Sequence, residues 1–124
     1  MKGDKAMPLK LYAEENKVVA CLMGEIDHHG AGRLREEIDG MLERMRPDTL
    51  ILDFREVTFM DSSGIGLVMG RYRLIRQWNG AVEIHNPAPS IKKVMRLAGL
   101  DRIASIHASP PAKGGSTEKT EAQV

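Results

Sequence analysis

The chain holds 124 residues, 42% of them hydrophobic and 28% charged, and carries a net charge of +1. That length suits one domain with an ordinary hydrophobic core, and a near-neutral chain without a basic face argues against nucleic acid, whose binding draws on clustered Lys and Arg. The single cysteine, Cys21, excludes an internal disulfide and, inside an apolar run, reads as a small buried hydrophobe.

The first residues have no apolar run of the signal-peptide kind. No stretch approaches the length of a membrane span. A cytoplasmic protein with no membrane partner is therefore expected. Residues 1–7 read as a flexible N-terminus and 8–108 as the domain. Residues 109–124, SPPAKGGSTEKTEAQV, have almost nothing to bury and read as a disordered tail.

In chain order, Leu9 to Tyr12 is short and partly apolar, and Glu14, Glu15 and Asn16 make a polar turn. Val18 to Met23 is almost continuously apolar, the pattern of a strand covered on both faces. The two segments suit a hairpin at a sheet edge. After Gly24-Glu25-Ile26-Asp27, the residues Leu34, Ile38, Met41, Leu42 and Met45 recur at helical spacing opposite a charged face. Gly30 and Gly32 weaken the start of that helix, which is expected over Gly32–Met45. Pro47 and Asp48 close the unit, and Thr49 to Phe54 is the next strand.

A loop with Val57, Phe59 and Met60 leads to Asp61-Ser62-Ser63-Gly64 and a helix over Ser63–Trp78, stopped by Asn79-Gly80. Ala81 to Ile84 is a short strand. Pro87 and Pro89 precede a helix over Ser90–Ala98, with Ser90 as N-cap and Gly99 as stop, and Ile103 to His107 suits a last strand. Strands alternating with helices imply an α/β domain with a mixed, largely parallel sheet of four or five strands.

Enzyme signatures are missing. No glycine-rich run ends in Gly-Lys-Ser or Gly-Lys-Thr. Gly64, Gly66 and Gly70 form only a loose glycine pattern that follows no strand directly, so a dinucleotide site is not expected. His28 and His29 are adjacent and point apart on a helix, where ligands need spacings of three or four, and His85 and His107 stand elsewhere. No metal, no cofactor and no catalytic residue are expected.

The sharpest local feature is Phe59 to Arg73, FMDSSGIGLVMGRYR. Asp and Ser are favoured N-caps, but capping alone does not explain Gly64 and Gly66, which cost helix propensity and let another backbone approach. A hydroxyl at an exposed helix entrance also suits a phosphate, since the helix dipole and free amides tolerate a dianion. Physical reasoning leaves capping and a switch site side by side.

Gly24-Glu25-Ile26-Asp27-His28-His29, the strand Leu50-Ile51-Leu52-Asp53 and Phe59-Met60-Asp61-Ser62-Ser63-Gly64-Ile65-Gly66 together resemble the STAS-domain anti-sigma-factor antagonists of the sporulation type, over roughly residues 8 to 107. The resemblance implies a single STAS-type domain that is not an enzyme. It implies that the unphosphorylated protein binds a nucleotide-bound anti-sigma factor serine kinase and frees the sigma factor. The kinase then phosphorylates the antagonist on Ser62, which ends binding, and a metal-dependent serine phosphatase resets it. The implied partner-binding residues are Asp27, Asp61, Ser62, Ser63, Gly64, Ile65 and Gly66, with a helix cap as the competing reading of Asp27. Gly30 and Gly32 depart from the better helix formers expected after Asp27-His28-His29.

Three other readings stand beside this one. A STAS subunit of a stress-response assembly keeps the fold and the phosphoserine and changes the partner. A receiver domain phosphorylated on Asp53 lacks the acids after its first strand and the lysine after a later one. A small nucleotide-binding enzyme lacks a phosphate-binding lysine and a base–nucleophile pair.

Overall fold

Burial alternates along the strands and so fixes which side of the sheet meets the helices. The structure, a computed structural model, describes residues 9–108; the expected flexible N-terminus and disordered tail lie outside them. The elements run β1 (Leu9–Glu14), β2 (Lys17–Ile26), α1 (His28–Met45), β3 (Thr49–Met60), α2 (Ser62–Ile75), β4 (Ala81–His85), α3 (Pro89–Leu97) and β5 (Ala104–His107), with one-turn 3-10 segments at Arg76–Trp78 and Leu100–Arg102. The five strands lie in sequence order. β1 pairs antiparallel with β2, and the remaining neighbours pair in parallel.

Successive parallel strands joined by right-handed crossovers put every connecting helix on one side. Side chains agree: Val18, Ala20 and Leu22 on β2, Leu50, Leu52 and Phe54 on β3, and Val82 and Ile84 on β4 are buried in one cluster with Leu34, Ile38 and Leu42 of α1, Val68 and Ile75 of α2, and Met95 of α3. The other face carries the alternate residues and, among the described residues, no helix. That limits the reading of β2 as covered on both faces: on the open face Val19 is buried, but Cys21 and Met23 are only half-buried. It also corrects Cys21, which is half-buried on the open face rather than in the core. Partial burial and the neighbouring Asp53 carboxylate both raise its pKa, so the thiol stays protonated.

Two boundaries differ from expectation in ways that build the site. α1 begins at His28, not at Gly32, because the Asp27 side chain accepts the Gly30 amide at 2.9 Å and starts the helix four residues early. A strong cap outweighs two glycines among the first five residues of the helix. β3 does not end at Phe54 but continues to Met60, absorbing the expected loop. Its last pairing with β4 is Asp53↔His85, whereas its pairing with β2 continues through Ile26↔Met60. β2 and β3 thus run on as a two-stranded ribbon with irregular register near Cys21 to Glu25, where Gly24 takes a positive φ of 77°. Exposed Arg55, Glu56 and Thr58 hide this stretch from a reading by hydrophobic runs.

α2 ends as an α-helix at Ile75, and its expected last turn is the 3-10 segment to Trp78. The Trp78 indole donates to the Pro47 carbonyl at 2.8 Å, with the Arg46 guanidinium 5.0 Å from its ring centre. α3 starts at Pro89 with Ala88 as N-cap and no side-chain cap, so Ser90 is not the cap. Proline's fixed φ and missing amide suit the first helical position.

Candidate functional site

The ribbon carries the ends of β2 and β3 to the same edge, so Asp27 and Asp61 leave it side by side and each starts a helix. The Asp61 amide donates to the Ile26 carbonyl at 3.1 Å, which joins the two exits directly. Asp61 has extended backbone angles and is the N-cap of α2. One of its carboxylate oxygens accepts the Ser63 amide at 2.8 Å and also the Ser63 hydroxyl. These two bonds from Ser63, with a smaller contribution from the His28 amide and imidazole across at the start of α1, hold the Asp61 carboxyl below its ordinary pKa. It is an anion at neutral pH and clasps both helix starts.

The two adjacent serines therefore differ. Ser63 is half-buried and its hydroxyl is turned inward to Asp61, whereas Ser62, the first residue of α2, is exposed. Its hydroxyl stands at the positive end of the helix, where a phosphate would meet amides rather than a closed surface.

The glycines also divide. A Cβ on Gly64 would fall 2.2 Å from Met60 Cγ and 2.4 Å from Met60 Sδ, so this buried glycine lets the first turn of α2 sit against the end of β3. It supports the site from beneath. Gly66 has nothing within 4 Å of a Cβ, and the same holds for Gly70 and for Gly32 on α1. No packing within the domain requires these three. With Ala31, Arg35 and Ser63 they border a groove of about 470 Å³ between α1 and α2. Ile65 is half-buried and packs on the core. Phe59 is 49% exposed at the end of the ribbon.

Beneath the groove an ion pair ties the two helices. Arg71 Nε lies 2.6 Å from Asp39 Oδ1, and Arg71 Nη1 donates to the Leu67 carbonyl at 3.2 Å. Coulombic attraction is the larger part of this contact and a side-chain hydrogen bond the smaller. Burial raises the Asp39 pKa, and Arg71 only partly offsets it. Burial likewise lowers that of Arg71 against the pull of Asp39.

All seven residues expected at the partner surface thus fall within one region, built on the two helix starts. The groove, with Gly32 and Gly70, and the Arg71–Asp39 pair beneath it were not foreseen. The spacing of Gly66 and Gly70 was the available signal, since residues four apart share a helix face. Asp53, the phosphoacceptor of the receiver reading, lies on the open sheet face and accepts the Arg55 amide at 2.9 Å.

Residues 10–111 match the STAS domain family. The chain belongs to the STAS family. Among its relatives, the anti-sigma F factor antagonist of Paenibacillus polymyxa is 31% identical over 103 residues, covering 82% of this chain and 88% of the relative. The anti-sigma-B factor antagonist of Bacillus subtilis is 28% identical over 101 residues, covering 82% and 89%. The anti-sigma factor antagonist SpoIIAA, solved unphosphorylated, superposes with a TM-score of 0.71 at 34% identity over 79% of this chain and 86% of that one. The Bacillus cell fate determinant SpoIIAA, solved phosphorylated, gives 0.65 at the same identity, over 79% and 89%. A STAS domain accounts for the five-stranded mixed sheet, the helices gathered on one face and the paired helix starts at the edge of the ribbon. Among the described residues no helix is long and apolar enough to cross a membrane.

Proposed function

We propose that this STAS protein is an anti-sigma-factor antagonist that works by binding, without catalysis, in the cytoplasm. Its unphosphorylated form binds a nucleotide-bound anti-sigma serine kinase and releases the sigma factor. Phosphorylation of Ser62 ends binding, and a metal-dependent serine phosphatase restores it. The observation that carries this reading is the split between the two serines: Ser62 is exposed on the first turn of α2 while the Ser63 hydroxyl is spent on Asp61. That two relatives are antagonists of anti-sigma factors, and that SpoIIAA has been solved with and without phosphate, supports it.

The contact surface in this reading comprises Asp27, Asp61, Ser62, Ser63, Ile65 and Gly66, with Gly64 beneath. A kinase must bring its own carboxylates and nucleotide phosphates to the Ser62 hydroxyl. A phosphate adds about −1.5 to −2 charges there, next to the Asp61 and Asp27 carboxylates of this chain. Rebinding then requires desolvating a dianion among like charges, at several kcal/mol for each unpaired buried charge. A penalty of about 3 kcal/mol weakens binding roughly a hundredfold.

The experiment is capture of the native partner by the tag-bearing chain, followed by treatment with that kinase and ATP and phosphopeptide mass spectrometry. Phosphate on Ser62 and release of the kinase are expected. Phosphate on Ser63 or Asp53 with Ser62 unmodified would overturn the assignment. The likeness to an anti-sigma-B factor antagonist favours a second reading, a stress-response partner with the same switch. The identity of the captured kinase separates the two.

A further inference from the structure

The sheet face away from the helices carries a row of side chains that the site above leaves unused. Register sets Cys21, Asp53, His85 and His107 side by side on β2, β3, β4 and β5. Glu83 lies two residues before His85 on β4, so its side chain leaves the same face. Glu83, His85 and His107 bring three donor atoms within 4.8 Å of one another. His85 Nε2 is 2.9 Å from Glu83 Oε1, and the two imidazole centroids are 5.1 Å apart.

We propose that Glu83, His85 and His107 form a binding site for one zinc ion. Two imidazoles and one carboxylate suit zinc and the neighbouring late transition metals, whereas magnesium and calcium prefer all-oxygen sets. The same donor set, with a position left for water, occurs at open zinc sites. With zinc–donor bonds of about 2.0–2.2 Å, a tetrahedral centre holds its donors about 3.3–3.5 Å apart. The Glu83–His85 gap then widens by a few tenths of an ångström, and His107 closes by side-chain rotation. His107 is exposed, and the Ser105 hydroxyl 2.8 Å from its Nε2 is an exposed partner that the rotation exchanges for the metal. Asp53 Oδ1 is committed to the Arg55 amide at 2.9 Å and the Asn86 amide group at 3.4 Å, so water completes the coordination.

Helical spacing led to the expectation of no metal. The pairing of two parallel strands sets His107 beside His85 across 22 positions of sequence, which no local spacing rule detects.

The test is calorimetric titration of the tag-free, chelator-treated full chain with zinc chloride, alongside NMR of the histidine imidazole signals. One zinc per chain is expected, with selective shifts of the His85 and His107 signals in the unaltered protein. Affinity should fall at least about tenfold in His85→Ala/His107→Ala, since even partners of ligands are worth that much. It should persist in His28→Ala/His29→Ala. The proposal is overturned if the second variant loses the ion, if the first keeps it, or if the His85 and His107 signals do not respond to millimolar zinc.

Discussion

One Asp61 carboxylate oxygen accepts both the backbone amide and the hydroxyl of Ser63. This turns the second serine of the Asp-Ser-Ser motif inward and leaves the first exposed. Ser62→Ala should therefore abolish phosphate incorporation and hold the kinase persistently. Ser62→Asp should bind it poorly, although one carboxylate mimics a phosphate incompletely. Ser63→Ala should still accept phosphate at Ser62, more slowly, because the loss of its hydroxyl loosens the cap. Phosphopeptide mapping together with a binding assay checks all three.

Asp61 and Asp39 should shape the acid limb of stability in opposite senses. The folded-state pKa of Asp61 is lowered, so its contribution is present above the ordinary aspartate pKa and is lost as pH falls through the folded value. That of Asp39 is raised, so its ionisation opposes folding as pH rises from the ordinary value through the folded one. Asp61→Asn should flatten the loss of stability on acidification, and Asp39→Asn should steepen it. Urea melts between pH 3 and pH 6 measure both slopes, and parallel curves for the two variants would contradict the assignment.

Asp27 caps α1 by accepting the Gly30 amide. Asp27→Ala should cost about 1 kcal/mol of stability. Asp27→Asn keeps an N-cap oxygen and removes the charge, so its melt should stay near that of the unaltered protein. If the charge faces the kinase, only affinity falls in the Asn variant. Calorimetric binding beside a thermal melt separates the two roles.

Gly64 and Gly66, two residues apart, should respond in opposite directions. Gly64→Ala forces a methyl group onto Met60 and should destabilise the domain by about 1–3 kcal/mol. Gly66→Ala enters open space in a helix and should stabilise it by about 0.5–1 kcal/mol. If the groove receives a partner, the same Gly66→Ala change weakens kinase binding. A more stable protein that binds less well would be the signature of a surface kept bare for contact.

The Arg71–Asp39 pair invites a double-mutant cycle. Removing Asp39 alone leaves a nearly buried guanidinium without its counter-charge, a loss that relief of the Asp39 desolvation partly offsets. Asp39→Ala/Arg71→Met should recover most of that loss. Equal and additive losses would show the two side chains to be energetically independent.

Most of the fold was readable because its signals are local. Leu34, Ile38 and Leu42 mark α1, and the apolar runs around Ala20 and Leu52 mark the central strands. The extension of β3 was not, because Arg55, Glu56 and Thr58 are exposed and only the presence of β2 alongside makes them a strand. The start of α1 was misplaced because the cost of Gly30 and Gly32 was set above the cap that Asp27 offers. Family resemblance put Asp27, Asp61 and Ser62 together. Their adjacency has a physical cause, the parallel pairing of Ile26 with Met60, which only the assembled sheet displays. The Arg71–Asp39 pair, 32 residues apart, lay beyond any local pattern.

The bond from the Asp61 amide to the Ile26 carbonyl makes the two helix starts one rigid piece. A rigid platform loses little conformational entropy when a partner docks. If Ser62 takes the phosphate as proposed, its charge acts on a surface already formed, and the signal waits on the chemistry rather than on a rearrangement of the chain.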